Sequence, residues 1–322
     1  MSVLLPLLLL IAGFIILIKG ADWFVDGAAG MAERFGISQL VIGLTVVAMG
    51  TSAPEAAVSI TSAIKGNAGI TIGNIVGSNI MNVLVILGVT ALLARVPVKQ
   101  VTMRREIPFT IAVTVLLGLF GYFAGKITFP MGIVFWILFI MYLAYLFIMT
   151  KKGIYHQEEA EKDPADDSGE KDLVKRNLGT MIIFTFIGCA GIILGSDLTV
   201  DSATELARIF HMSDRFIGLT IVAFGTSLPE LVTSAAAALK NEVDIAVGNI
   251  VGSNIFNILF VIGTTALITP VDFDRSFVLD TAAAVAAMII LLLSLLRNRS
   301  LTRLNGIIML ACYAAYFVFF LM

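Results

Sequence analysis

Three features of the 322-residue sequence predict an all-α polytopic membrane protein. About ten transmembrane helices are expected, as two inverted-topology repeats of five. The first feature is composition: 58% hydrophobic and 14% charged residues, with a mean hydropathy of +0.98. Soluble domains carry about 25% charged residues. The second is the length of several apolar runs, which reach the ~20 residues that cross a bilayer. The third is an internal repeat: GLTVVAMGTSAPE at 43–55 returns as GLTIVAFGTSLPE at 218–230.

The N-terminal run SVLLPLLLLIAGFIILI lacks a basic flank and a convincing cleavage site, so it reads as a retained first helix at about 3–28 rather than a signal peptide. The second segment (about 37–64) carries the first motif copy, and the third (about 70–93) carries GNIVGSNIMN. A basic connection with Arg95, Lys99, Arg104 and Arg105 leads to segments at about 106–124 and 129–150. Residues 151–177 are strongly polar and acidic, which fits a solvated linker; they lack the spaced ligands and glycine of an EF-hand loop. Further segments are expected at about 178–200, 213–239, 245–268, 277–296 and 304–321. The domain reading is therefore a first repeat at 1–150, a linker at 151–177 and a second repeat at 178–322.

The halves align at an offset of 175 residues. Ile42–Glu55 and Ile217–Glu230 differ at three positions, and GNIVGSNI is identical at 73–80 and 248–255. Asp22 and Asp26 fall on Asp197 and Asp201; near helix ends, they are expected to be solvated at the interface. Five crossings per half is an odd number, so the second half enters the membrane inverted, an arrangement found in transporters with midplane binding sites. With the N-terminus outside, sixteen of the 21 Lys and Arg residues fall on the cytoplasmic side. The positive-inside bias thus predicts both termini outside and the linker in the cytoplasm.

A carboxylate at membrane depth costs about 3 kcal/mol on insertion scales, and the motif contains one in each copy, Glu55 and Glu230. Pro54 and Pro229 clash with the carbonyls of Gly50 and Gly225, so each helix should kink there and free carbonyls such as those of Ala48, Met49, Ala223 or Phe224. Thr51, Ser52, Thr226 and Ser227 add hydroxyls. Ser78 and Asn82 share a helix face at i and i+4, as do Ser253 and Asn257. Every donor is a hard oxygen, which suits sodium, calcium or a similar ion. The glycines of GNIVGSN form GxxxG pairs suited to close helix packing. Cys189 and Cys312 lack metal or redox spacing, and His156 and His211 lie in polar connections.

The two GTSxPE segments, each followed by GNIVGSNIxN, resemble the alpha-repeats of the sodium/calcium exchanger family, within the cation/calcium antiporter superfamily, and most of all its compact prokaryotic members. The resemblance implies that Glu55 and Glu230 ligate calcium and contribute to sodium sites, and that Thr51 and Thr226 ligate through backbone and hydroxyl. It implies that Ser52, Ser227, Ser78 and Ser253 line sodium sites with the carbonyls of Ala48 and Ala223, and that Asn82 sits centrally. Asn257 stands where some prokaryotic members and the potassium-dependent branch carry aspartate, which argues against potassium dependence. Proton/calcium exchangers usually have Gly-Asn in place of the Gly-Thr-Ser here, which favours sodium coupling.

The expected function is sodium/calcium antiport in the plasma membrane, with calcium extruded as sodium enters. The transported ions and the bilayer are the expected partners. No cofactor, enzyme activity, nucleic-acid partner or protein partner is implied. Proton-coupled cation antiport and, further off, a cation channel are the alternatives.

Overall fold

The computed structural model describes residues 3–64, 69–153, 177–210 and 223–321. The acidic segment 154–176 and the start of the second motif copy, 211–222, lie outside the described residues. Among the described residues the secondary structure is helical, apart from two short antiparallel bridges. In chain order the helices are α1 (Leu4–Phe35), α2 (Gln39–Thr51), α3 (Ala53–Ile64), α4 (69–93), α5 (Thr102–Ala124), α6 (Phe129–Lys151), α7 (Leu178–Ile209), α8 (Ala223–Thr226), α9 (Leu228–Leu239), α10 (Val243–Ile268), α11 (Ser276–Leu295) and α12 (Arg303–Leu321). Among the described residues, seven helices are long and apolar enough to cross a membrane, or eight if α2 and α3 form one bent span.

Two helices form the centre. Buried positions make up 83% of the apolar window of Thr71–Leu93 and 94% of that of Val243–Ile268, against 28% to 33% in the other five spanning helices. These are the segments that carry GNIVGSNI, and their apolar residues face protein on all sides. The outer helices turn large apolar side chains outward, among them Leu4, Ile15, Phe123, Ile140, Phe186 and Leu293. In water such a surface would be a large liability; against lipid it is the expected coat.

Small residues let α2 and α10 touch. A Cβ built on Gly43 would lie 3.0 Å from the Gly248 Cα, and one on Gly248 would lie 2.7 Å from the Leu40 carbonyl oxygen. Without lipid-excluding hydrophobicity to drive helices together, such backbone approach supplies the packing. The glycines of GNIVGSN therefore do pack helices in the second copy.

α1 and α7 are longer than the sequence suggested. Each spans 32 residues, about 48 Å of helix. The polar residues Asp22 and Asp26 do not end α1; it continues to Phe35, and Gly36, in a left-handed conformation (φ 60°), caps it with its backbone N–H directed to the carbonyl oxygens of Ala32 and Glu33. Both aspartates are partly exposed and engage Lys240 at the end of α9. Its Nζ lies 2.7 Å from Asp26 Oδ1, 2.8 Å from the Asp22 carbonyl oxygen and 3.6 Å from Asp22 Oδ1. Solvation alone, as expected from sequence, thus omits an ionic tie between α1 and α9.

Among the described residues, four π-helical turns were not foreseen: Gly43–Val47, Asn82–Ile86, Thr102–Glu106 and Asn257–Ile262. Two of them begin at the repeated asparagines. Each widens the helix by one residue per turn and re-aims the side chains that follow. The connections pair crosswise: β1 (Val96–Pro97) with β4 (Ser300–Leu301), and β2 (Lys126–Ile127) with β3 (Val271–Asp272).

Beside β1, Lys99 is buried with its Nζ 3.1 Å from Asp244 Oδ2 and 3.1 Å from Ser38 Oγ. This joins the connection after α4 to the starts of α2 and α10. Removing one partner of a desolvated ion pair strands the other charge, at about 3–5 kcal/mol. Lys99→Met is therefore expected to lower the thermal unfolding midpoint in detergent, and Lys99→Met/Asp244→Asn to recover much of the loss. An unchanged midpoint in the single variant would show that the pair does not hold these elements together.

Candidate cation site

Each motif copy breaks its helix at the serine. Ser52 adopts φ −84° and ψ 9°, Ser227 φ −91° and ψ 5°, outside the helical basin in both cases. The break bends α2 from α3 by 45°. Pro54 and Pro229 are the cause, since neither can donate to the carbonyl four residues before it. Those carbonyls turn towards α7: Gly225 O accepts a hydrogen bond from Ser196 Oγ at 3.0 Å, and Gly50 O faces the Cys189 thiol at 3.9 Å. They are thus used in helix packing.

The break creates two new helix starts inside the protein. Glu55 lies in the first turn of α3 and Glu230 in the first turn of α9. Backbone N–H groups at a helix start are unpaired and carry partial positive charge, so a carboxylate is favoured there. Both side chains have no solvent exposure, and each carboxylate approaches its own backbone amide. The two are close enough to interact electrostatically.

The surrounding hydroxyls cross between the halves. Ser52 donates to Glu230 Oε1 at 2.7 Å, and Ser78 Oγ lies 3.4 Å from Glu55 Oε1 and 3.2 Å from Ser227 Oγ. Ser253 Oγ lies 3.4 Å from the Ala48 carbonyl oxygen, which also receives the Ser52 amide. Buried Thr51 is directed to Asn249 Oδ1 (2.9 Å) and the Val47 carbonyl (3.1 Å), while Thr226 is half-buried at the end of α8. Ala223 opens α8.

Four oxygens in this region are buried and receive no hydrogen bond: Glu55 Oε2, Glu230 Oε2, Asn82 Oδ1 and Asn257 Oδ1. Each unsatisfied acceptor costs about 1–3 kcal/mol, more when charged. The four come from α3, α4, α9 and α10, and the asparagine turn of each central helix packs against the glutamate helix of the other half: Asn82–Ile86 against α9, and Asn257–Ile262 against α3. Such a set of bare oxygens is suited to a hard cation. Among the described residues there is no group of three or more His, Cys, Asp or Glu side chains, so two carboxylates carry all the acidic charge of the set.

Sequence reasoning passed over the other asparagines of GNIVGSN. Asn74 donates to Ser59 Oγ at 3.2 Å, tying α4 to α3, and Asn249 donates to Ser234 Oγ at 3.0 Å, tying α10 to α9. Asn79 Oδ1 accepts from Asn257 Nδ2 at 3.1 Å, and Asn254 Oδ1 accepts from Asn82 Nδ2 at 3.0 Å. The signal was present: each copy places two further amides in an otherwise apolar run.

Comparison with known proteins identifies the family. The family model described as "Sodium/calcium exchanger protein" matches residues 5–148 and 180–322. The chain is 40% identical to the inner membrane protein YrbG of Escherichia coli over 84% of this chain and 82% of that one. It is 33% identical to the sodium/calcium exchanger MaX1 of Methanosarcina acetivorans over 97% of each chain. Among solved structures, the sodium-calcium exchanger NCX_Mj soaked without sodium or calcium superposes with a TM-score of 0.82 at 31% identity, over 98% of this chain and 99% of that one. NCX_Mj soaked with 2.5 mM sodium and 0.1 mM strontium gives 0.82 and 31% over 99% of each. The chain belongs to the sodium/calcium exchanger family, whose members are transporters and not enzymes.

Proposed function

We propose that this chain exchanges sodium for calcium by alternating access, through one buried cation site formed jointly by its two halves. The observation that carries the reading is a set of four bare oxygens, one from each of two buried carboxylates and one from each of two buried carboxamides. In this reading Glu55 and Glu230 ligate calcium and share in binding sodium, and Asn82 and Asn257 add neutral oxygens. Ser52, Ser78, Ser227 and Ser253 line the sodium positions together with the carbonyls of Ala48 and Ala223. Thr51 and Thr226 complete the set from the helix breaks. Exchange is obligatory because calcium and sodium compete for the same carboxylates. An empty site would carry two uncompensated charges through the apolar interior, a large barrier that a bound cation lowers.

In the same reading the chain crosses the membrane ten times, as two inverted repeats of five. Among the described residues, the expected segments at about 213–239 and 304–321 correspond to the shorter apolar helices α9 and α12. Both motif breaks share one backbone geometry, and Asn74–Ser59 has its counterpart in Asn249–Ser234. The charge bias supports a plasma-membrane orientation with both termini outside and the linker in the cytoplasm. With sodium entering, calcium leaves the cell.

Proteoliposomes preloaded with sodium test the activity. Calcium uptake is expected to require internal sodium and to collapse when the sodium gradient is removed; uptake driven by a pH gradient would replace sodium coupling by proton coupling. Glu55→Gln and Glu230→Gln are each expected to abolish exchange while the protein remains extractable and folded, and wild-type exchange in either variant would remove the site assignment. Asn257→Asp adds a carboxylate and is expected to change the ranking of sodium, calcium and strontium as substrates; an unaltered ranking would mean that Asn257 does not face the ions.

A further inference from the structure

The carboxamides of Asn82 and Asn257 could each present either an oxygen or an NH2 group to a cation, and only the oxygen attracts it. What decides between them lies one step away from the site. The Asn254 backbone carbonyl can only accept a hydrogen bond. Asn79 Nδ2 lies 3.2 Å from it, so the NH2 of Asn79 faces that carbonyl and its Oδ1 faces the other way. Asn79 Oδ1 can likewise only accept, and it meets Asn257 Nδ2 at 3.1 Å. Asn257 is thereby held with its NH2 turned to Asn79, and its Oδ1 is left buried without a donor.

The mirror chain runs through the other half. Asn254 Nδ2 donates to the Asn79 backbone carbonyl at 3.3 Å, its Oδ1 accepts from Asn82 Nδ2 at 3.0 Å, and Asn82 Oδ1 is left bare. All four side chains are at most 4% exposed, so water offers no alternative partner. Reversing Asn257 alone would set two oxygens face to face. Reversing Asn79 as well would set its oxygen against a backbone carbonyl. Each chain of two amides is anchored at a group that cannot change its role.

We infer that Asn79 and Asn254 are positioning residues that hold Asn257 and Asn82 oxygen-first towards the transported cation. The inference rests on the proposal that those two carboxamides face the ion. It assigns a role to a juxtaposition, the crossing of Asn79 and Asn254 between α4 and α10, that helix packing alone does not require.

Exchange kinetics in proteoliposomes test it. Asn79→Leu keeps the volume and removes the acceptor, which frees the Asn257 carboxamide to turn. The calcium concentration for half-maximal exchange is expected to rise by about 10- to 100-fold, the usual cost of losing an outer partner of a metal ligand, with the maximal rate much less affected. The same substitution is then made in an Asn257→Asp background. A carboxylate has an oxygen at both ends and needs no orienting, so Asn79→Leu is expected to cost nothing there. A purely structural Asn79 would cost the same in both backgrounds, and that result would overturn the inference, as would an unchanged half-saturation in the single variant.

Should Asn79→Leu fail to fold, a calcium-soaked structure of the wild-type protein decides instead. Calcium within about 2.3–2.6 Å of Asn257 Oδ1 or Asn82 Oδ1, with the NH2 of that residue still bonded to Asn79 Oδ1 or Asn254 Oδ1, upholds the inference; calcium bound by a carboxamide that has let go of its partner, or out of reach of both, overturns it. Glu55→Gln separates the two levels: loss of exchange there, with an insensitive Asn79, would leave the cation site standing and remove only the positioning role.

Discussion

Two carboxylates buried in an apolar interior, close enough to interact, set the conditions that the rest of the molecule meets. Such groups persist only where helix starts, hydroxyls and a counter-charge offset the loss of water. The two prolines provide helix starts at depth by stopping the preceding helix one turn early. Ser52 and Ser78 provide hydroxyls, and each carboxylate still keeps one oxygen without a donor. The remaining requirement, positive charge, is met in the proposed function by the cargo. Binding and electrostatic compensation are then the same event, which is why a transporter can hold a site that would otherwise destabilise it.

Meeting that requirement from two sides explains the crosswise construction. Ser52 bonds the glutamate of the other half, Ser78 meets Ser227, and the Asn79–Asn254 crossing links the two central helices. Close approach of α2 and α10 at Gly43 and Gly248 brings the backbones near enough for short side chains to reach. The β1–β4 and β2–β3 bridges repeat the pattern at the connections between helices.

α1 and α7 stand in a different relation to this core. They pack on each other through glycines, where a Cβ on Gly191 would lie 3.1 Å from the Gly20 Cα. They reach the core through few polar contacts, among them Ser196 with Gly225 and Asp22 and Asp26 with Lys240. Beside these contacts, α1 joins α2, α9 and α10 in a buried apolar cluster that includes Leu17, Phe24, Val25, Val47, Ala237 and Ile245.

The sequence by itself determined the membrane class, the repeat and the chemistry of the motif. Apolar length, verbatim recurrence and a glutamate beside a proline are local properties that need no knowledge of packing. It also indicated the helix breaks, because proline acts on its own helix. It did not reveal that Asn79 and Asn254 orient other amides, since a carboxamide has no preferred end until a neighbour supplies a donor or an acceptor. It did not reveal the π-turns at Asn82 and Asn257, which change the hydrogen-bond register without changing composition. Ala48 was among the carbonyls expected to be freed, but it still accepts the Ser52 amide; the Gly50 and Gly225 carbonyls are the ones turned towards α7, and only its approach decided that. Tertiary structure fixed these points because each depends on which groups meet across helices far apart in the chain, and hydrogen-bond direction is a property of the pair.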